Sequence, residues 1–271
     1  MPLPPTDRFA ELRAPAHWQT VDFISDLHLQ ASEPATFDAW RRYLERPTSE
    51  RADALFILGD LFEVWVGDDV LARSGTPDHD FWLSCTKVLH AHATQTPVYF
   101  MVGNRDFLLG PVAAQACGMQ LLNDPTVLEF LDRRWLLSHG DALCLADTDY
   151  MRFREQVRHP HWQHAFLERP LEEREAIARE LRQQSEARKQ TTSGDPHRWA
   201  DVDHPAAQQW LLHAQARTLI HGHTHRPAEH TLGEGLQRVV LSDWEVGGPS
   251  PRAEVLRIGA QGLQRLPMAQ R

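Results

Sequence analysis

Apolar residues in this chain come in short continuous runs that stop abruptly at polar ones. The runs are VDFISDLH at residues 21–28, ALFILGDLF at 54–62, VYFMVGNRD at 98–106, RRWLLSHGD at 133–141 and TLIHGHTH at 218–225. Rich in β-branched and aliphatic residues, they predict buried strands. Between the first pair lies TFDAWRRYLERP and between the second FWLSCTKVLHAHATQ, both with the three-to-four-residue apolar spacing of helices packed on a sheet. Alternating strand and helix predicts an α/β core. RVVLSDWEV and AEVLRIGA near the C-terminus add strands with no helix between them, which favours a mixed sheet or a two-sheet sandwich over a purely parallel sheet.

Residues 151 to 190 follow another rhythm. Apart from Pro160 and Pro170 they read as helix, with Phe153 and Val157, then Leu171, Ile177, Ala178 and Leu181, at helical spacings. TTSGDPHRWADVDHP, from Thr191, is rich in turn formers and predicts a loop back to the core. The expected organisation is an α/β body over residues 19–150 and 204–271, a helical insertion with its return loop over 151–203, and a loosely attached, proline-rich arm over residues 1–18.

Composition narrows this little. The formal charge of −9 and pI near 5.9 give no overall attraction to nucleic acid or anionic lipid, so such contacts would need a local patch. No basic, aromatic-interleaved stripe for DNA is visible, and neither nucleic acid nor an obligate protein partner is expected. Cys85, Cys117 and Cys144 lie in or beside apolar stretches without CxxC spacing, and read as reduced core thiols of a cytosolic protein.

The chemistry sits where the strands end. Each of the five runs closes on residues able to bind a metal: Asp26 and His28, Asp60, Asn104, His139, then His223 and His225. Taken singly these motifs are ordinary; a GD or GN after a strand is often a turn, and one histidine is often a satisfied core residue. Their recurrence at five strand ends is not, because ligands of α/β sheets gather at the carboxyl ends of strands. Carboxylate, imidazole and amide oxygen suit Mn, Fe or Zn, and seven donors match two metals sharing a carboxylate, with Asp60 as the natural bridge.

DLH, GDLFE, GNRD, SHGD and GHTH together resemble the calcineurin-like metallophosphoesterase superfamily over roughly residues 20 to 245. The resemblance implies two mixed sheets flanked by helices, one metal held by residues like Asp26, His28, Asp60 and His225, and a second by residues like Asp60, Asn104, His139 and His223. His221 matches no ligand position and reads as structural. Most of that superfamily carries a general-acid histidine after GN, where this chain has Arg105. Arginine gives up no proton readily but grips phosphate oxygens bidentately, which suits a weakly basic leaving group, such as one released from a pyrophosphate.

GDLFEVWVGDD at 59–69, GNRDFLLG at 103–110 and HGDALCLADTDY at 139–150 are similar to the UDP-2,3-diacylglucosamine diphosphatases of bacterial lipid A synthesis. That resemblance implies Mn-dependent hydrolysis of the UDP-linked diacylated glucosamine to UMP and 2,3-diacylglucosamine 1-phosphate; the expected mechanism is a water shared between two Mn ions attacking the α-phosphorus. It also implies a helical cap holding the acyl chains and a peripheral place on the cytoplasmic leaflet of the inner membrane. Met151, Phe153, Trp162, Phe166, Leu167 and Leu171 are candidate cap lining. Carried over by position, substrate contacts fall on Asn104, Arg105, Asp147, Ser185 and His223; beyond Ser185 the pattern departs, leaving Lys189 and Thr192 where the family often has Asn and then Lys. The rival readings are a nucleotide or cyclic-nucleotide phosphodiesterase of the same superfamily and a scaffold without activity.

Overall fold

Burial alternates between two directions along the strands, and this sorts the core into slabs. The computed structural model describes residues 9–191, the side chains of 184–191 excepted, and residues 201–268. One sheet has the order β12(Gly262–Pro267), β11(Glu254–Gly259), β2(Thr20–Ile24), β3(Ala54–Leu58), β4(Val98–Met101), β5(Met119–Leu122), with β2 to β5 parallel and β11 and β12 antiparallel. The other has the order β1(Ala10–Arg13), β6(Thr126–Phe130), β7(Arg133–Leu137), β8(Thr218–His221), β10(Leu236–Val240), β9(Ala228–Gly233), and is also mixed. The α/β body is therefore a sandwich of two mixed sheets flanked by helices.

All five residues of β3 are buried, but not against the same neighbours. Ala54, Phe56 and Leu58 pack with Phe23, Trp135, Leu137 and Ile220 between the sheets, where Phe23, Phe56 and Tyr99 stack in a row. Leu55 and Ile57 pack outward with Trp40, Leu44, Cys85, Leu89 and Ala113 of α1(Pro34–Glu45), α2(Pro77–Ala93) and α3(Pro111–Cys117). On the far side Val127, Leu136 and Leu219 are covered by Trp210 and Leu211 of α7(His204–Ala214). Strands covered on both faces need no polar alternation, which is why these runs are continuously apolar. Burying one such Phe contributes about 1.5–3 kcal/mol.

The helical stretch after the SHGD motif is three helices, α4(Thr148–Arg158), α5(Pro160–Leu167) and α6(Leu171–Thr191). Pro160 opens α5 and Pro170 immediately precedes α6, where the missing N–H costs nothing, so the prolines divide the stretch without unfolding it. Trp162 and Phe166 stack 4.8 Å apart, and Phe166 and Leu171 join the body's cluster around Leu61, Phe62, Trp65 and Val66.

Two expectations change, and the return to the core gains a helix start. Residues 9–18 are not a loose arm: β1 pairs in parallel with β6, Phe9 and Trp18 are buried, and Arg13 pairs with Glu129 at 2.8 Å. The prolines mask a short edge strand whose pattern is too brief to read. RVVLSDWEV is strand only to Val240, since Leu241 to Trp244 leave the sheet to wrap toward Asp26, whose carbonyl accepts from Trp244 N–H at 3.0 Å. The turn-rich return segment ends in α7, whose N-terminal N–H groups are capped by Asp203. Cys85, Cys117 and Cys144 are buried free thiols, with their pKa values pushed up by burial.

Candidate metal centre

The carboxyl ends of β2, β3 and β4 in one sheet and of β7 and β8 in the other open toward one another, bringing residues 26 and 225 into contact. Main-chain hydrogen bonds lock the strand-end loops together. Asp26 N–H donates to Gly59 O at 3.1 Å, His28 N–H to Asp60 O at 3.0 Å and Gly222 N–H to His139 O at 3.0 Å. Side chains add to the weave: Asp26 accepts from His223 N–H at 2.9 Å, and Asp60 Oδ1 from Arg105 N–H at 2.8 Å.

This weave is bought with backbone strain. Among the described residues other than glycine, nine have positive φ; Leu131, Asp132, Gln215 and Glu234 sit at hairpin turns or a helix end. The other five are Asp26, His28, Asp60, His223 and His225, all at strand ends in the centre. Such conformations cost of order 1–3 kcal/mol each and persist where surrounding structure imposes them. Two glycines serve the same packing: a Cβ on Gly103 would overlap the Asp60 carboxylate, and one on Gly222 the Asp26 carboxylate.

Five of the seven side chains form two groups about Asp60, His28 with His225 and Asn104 with His139 and His223, and Asp26 lies against both. Asp60 Oδ2 lies 3.9 Å from His28 Nε2, and Asp60 Oδ1 3.7 Å from His139 Nε2. On the first side His28 Nε2 faces His225 Nε2 at 3.2 Å, and His225 Nε2 is 3.3 Å from Asp26 Oδ1. On the second, Asn104 Oδ1 is 2.9 Å from His139 Nε2 and 2.8 Å from His223 Nδ1. The donor atoms of Asp26, His28 and His225 lie within 4.8 Å of one another, as do those of Asp26, Asp60 and His139.

The outer ring nitrogens settle which atoms face inward. His139 Nδ1 donates to Leu58 O at 2.9 Å, and His28 Nδ1 lies 2.8 Å from Glu63 Oε2. With its proton on Nδ1, the His139 ring turns its Nε2 lone pair toward the oxygens of Asn104 and Asp60. Lone pairs aimed at one another need a cation among them, so the donor set fits a metal. The charges agree. Burial pushes the Asp26 carboxyl up, but the hydrogen bond and charge of His225, with His139 and His28, hold it well below the carboxylate range. Burial lowers the His139 imidazole, yet Asp60, Asp26 and Asp141 raise it to about 9. Burial and the neighbouring His139 bring His223 down to about 4. Buried carboxylates here call for positive charge from a proton or from a metal ion that displaces it.

A model of the calcineurin-like phosphoesterase family matches residues 19–227, spanning every one of these strand ends. The chain belongs to that family. It is 44% identical over 92% of its length to a UDP-2,3-diacylglucosamine hydrolase of Chromobacterium violaceum, covering 98% of that protein. It is 42% identical over 90% of its length to one of Xanthomonas axonopodis pv. citri, covering 96%, and 43% identical over 90% to one of Stenotrophomonas maltophilia, covering 96%. This phosphoesterase is a metal-dependent hydrolase.

Of the expected substrate contacts, Asn104, Arg105 and His223 are in the centre. Asp147 is exposed and caps α4 by accepting from Tyr150 N–H at 3.0 Å; Tyr150 in turn stacks its ring on His223, 5.8 Å between centroids. Ser185 and Lys189 lie on α6, but their side chains, and all of Thr192, fall outside the described residues. Of the candidate cap lining, Phe166 and Leu171 are buried, Trp162 packs between Phe107 and Phe166, and Phe153 and Leu167 are exposed. His221 is buried with its Nδ1 turned to Gly222 O, and burial lowers it to about 3.

Several residues around the centre were not singled out from sequence. Asp106, in the GNRD motif, accepts from Gly103 and Leu61 N–H groups at 2.7 Å each and so ties two strand-end loops; burial and the charge of Asp60 raise it to about 6. Asp141, in SHGD, accepts from Tyr150 Oη and Arg154 Nε at 2.6 and 2.8 Å, joining α4 to the centre. Glu63 closes the GDLFE motif at the edge of a cavity of about 340 Å³ between α2 and α6, with Leu29, Val64, Val66, Trp82 and Ala178 as its apolar wall. A run of acidic residues after strands was visible in sequence, but nothing there distinguishes a ligand from the residue that braces it.

Proposed function

We propose that the chain hydrolyses the pyrophosphate bond of UDP-2,3-diacylglucosamine to UMP and 2,3-diacylglucosamine 1-phosphate, a step of lipid A synthesis. The observation that carries this is the placement of Asp60: one carboxylate oxygen serves each donor group, and its neighbour in the centre is Arg105 rather than a proton donor. The names of the relatives support the substrate.

In this reading Asp26, His28, Asp60 and His225 hold one Mn ion, and Asp60, Asn104, His139 and His223 a second. When bound, such ions lower the pKa of coordinated water and polarise phosphoryl oxygens. The chain's own residues do the rest. Arg105 grips the phosphate oxygens and stays charged through the reaction, balancing the negative charge that develops on them. Its main-chain N–H, spent on Asp60, and its pairing with Glu63 at 3.5 Å hold it at the rim. The leaving sugar phosphate is weakly basic, so no side chain need protonate it. Asn104 and His223 orient the substrate as well as the metal, and α4 to α6 cover its acyl chains, with Asp147, Ser185, Lys189 and Thr192 as further contacts.

A peripheral position at the cytoplasmic face of the inner membrane belongs to the same reading. Residues 151–190 carry nine Arg or Lys against seven Glu in a chain of net charge −9, and Phe153, Leu167 and Leu181 are exposed there. No helix among the described residues is long and apolar enough to cross a membrane.

The deciding experiment measures Mn-dependent UMP release from UDP-2,3-diacylglucosamine beside UDP-N-acetylglucosamine. Turnover of the diacylated substrate alone is expected; equal turnover of both would favour a general nucleotide-sugar pyrophosphatase. No turnover despite bound metal would favour a scaffold.

A further inference from the structure

Glu63 is held between the metal centre and the cap by an imidazole and two guanidinium groups. Its Oε2 lies 2.8 Å from His28 Nδ1, and its Oε1 lies 2.9 Å from Nη1 of Arg182 on α6 and 3.5 Å from Nη1 of Arg105. The carboxylate is 8% exposed, so these contacts are little screened by water. Its backbone is registered to the same loop it braces: Glu63 N–H donates to Leu29 O, and Phe62 bridges Leu29 in parallel. The carboxylate therefore cannot drift independently of His28.

We propose that Glu63 is the positioning residue through which the cap helix α6 sets the His28 imidazole and the Arg105 guanidinium. Glu63 holds the His28 proton on Nδ1, and Arg182 holds Glu63 in the orientation that does so. Loss of either frees the ring to turn or to take the other tautomer, and its Nε2 no longer points at His225 and Asp60. The contrast with His139 makes the effect selective. That ring is set by the main-chain carbonyl of Leu58 at the end of β3, not by a side chain that α6 holds. The His28 imidazole answers to α6 through Glu63; the His139 imidazole does not.

This rests on His28 being a metal ligand, and the test reads metal binding apart from turnover. Metal-stripped full-length protein is titrated with Mn²⁺ by calorimetry as wild type, Glu63→Gln, Arg182→Met and the double variant. Glu63→Gln is expected to weaken one of two binding events about tenfold or more and leave the other unchanged. Arg182→Met should weaken the same event by less, and the double variant should bind no worse than Glu63→Gln alone, because both act through one contact. Unchanged affinity, equal weakening of both events, or losses that simply add would overturn the proposal. Should Glu63→Gln fail to fold, Arg182→Met compared with Arg182→Lys reads the same link: methionine weakens the event and lysine restores it, and no difference between them overturns the coupling. A wild-type protein that binds no Mn²⁺ would overturn the metal reading itself, and this inference with it.

Discussion

The metal centre and the cap are built by opposite means. Around the centre the main chain does the work: left-handed backbone at five strand-end residues, loops bonded across sheets, and glycines against which carboxylates lie directly. The cap consists of ordinary helices held to the body by an apolar seam and by side-chain ion pairs. Arg174 reaches Asp69 and the Val66 carbonyl, Arg182 reaches Glu63, and His79 of α2 meets Glu175 at 3.0 Å. Chemistry needs donors fixed to fractions of an ångström, which a cross-bonded backbone supplies; helices joined through side chains keep a shape with less precision.

The largest expected effect tests the centre. Asp60→Ala removes the carboxylate common to both donor groups and should lower turnover about a thousandfold or more, with metal content falling in parallel by elemental analysis. Gly103→Ala comes next: the added methyl displaces the Asp60 carboxylate, so a change outside the ligand set should cost about a hundredfold in kcat. Wild-type turnover in that variant would break the claim that backbone packing sets the centre.

Arg174→Met probes the cap. Its side chain is buried, and its loss leaves the Val66 carbonyl and Asp69 without their partner. A stability loss of about 1–3 kcal/mol is expected, with faster proteolysis inside α4 to α6 and a rise in KM larger than the fall in kcat. Equal losses in kcat and KM would mean that the cap serves the chemistry as much as the binding.

The smallest effect comes from acid and falls on the body. His92, buried in α2 with Nδ1 against Leu44 O at 2.9 Å, is lowered to about 4 by burial. The unfolded chain takes up a proton near pH 6.5 that the folded chain resists until about pH 4, so this contribution is full above pH 6.5 and lost as pH falls through that window. The loss should approach about 2 kcal/mol, read by chemical denaturation at pH 7.5 and pH 4.5, and His92→Asn should flatten the slope.

The same division decided what could be read in advance. The five central strands and the seven candidate donors that the fold brings together were legible because a buried strand announces itself in an unbroken apolar run and each candidate stands directly after one. Edge strands β1, β5 and β9 were not; they are short and covered on one face at most, and residues such as Gln120 and Leu121 carry no periodic signal over four positions. Glu63, Asp106 and Asp141 lay inside quoted motifs, yet their bracing roles depend on contacts with Arg182, Leu61 and Arg154, each more than ten residues away.

By itself the order of residues determined which atoms are available and which strands carry them, since residue type and apolar period are local properties. Only the tertiary structure decided that Asp60 divides its two oxygens between two histidine groups, which ring nitrogen keeps its proton, and that a cap arginine reaches the brace behind His28. Those are distances between parts of the chain up to about 200 residues apart, and hydrogen-bond direction exists only once both partners are in place.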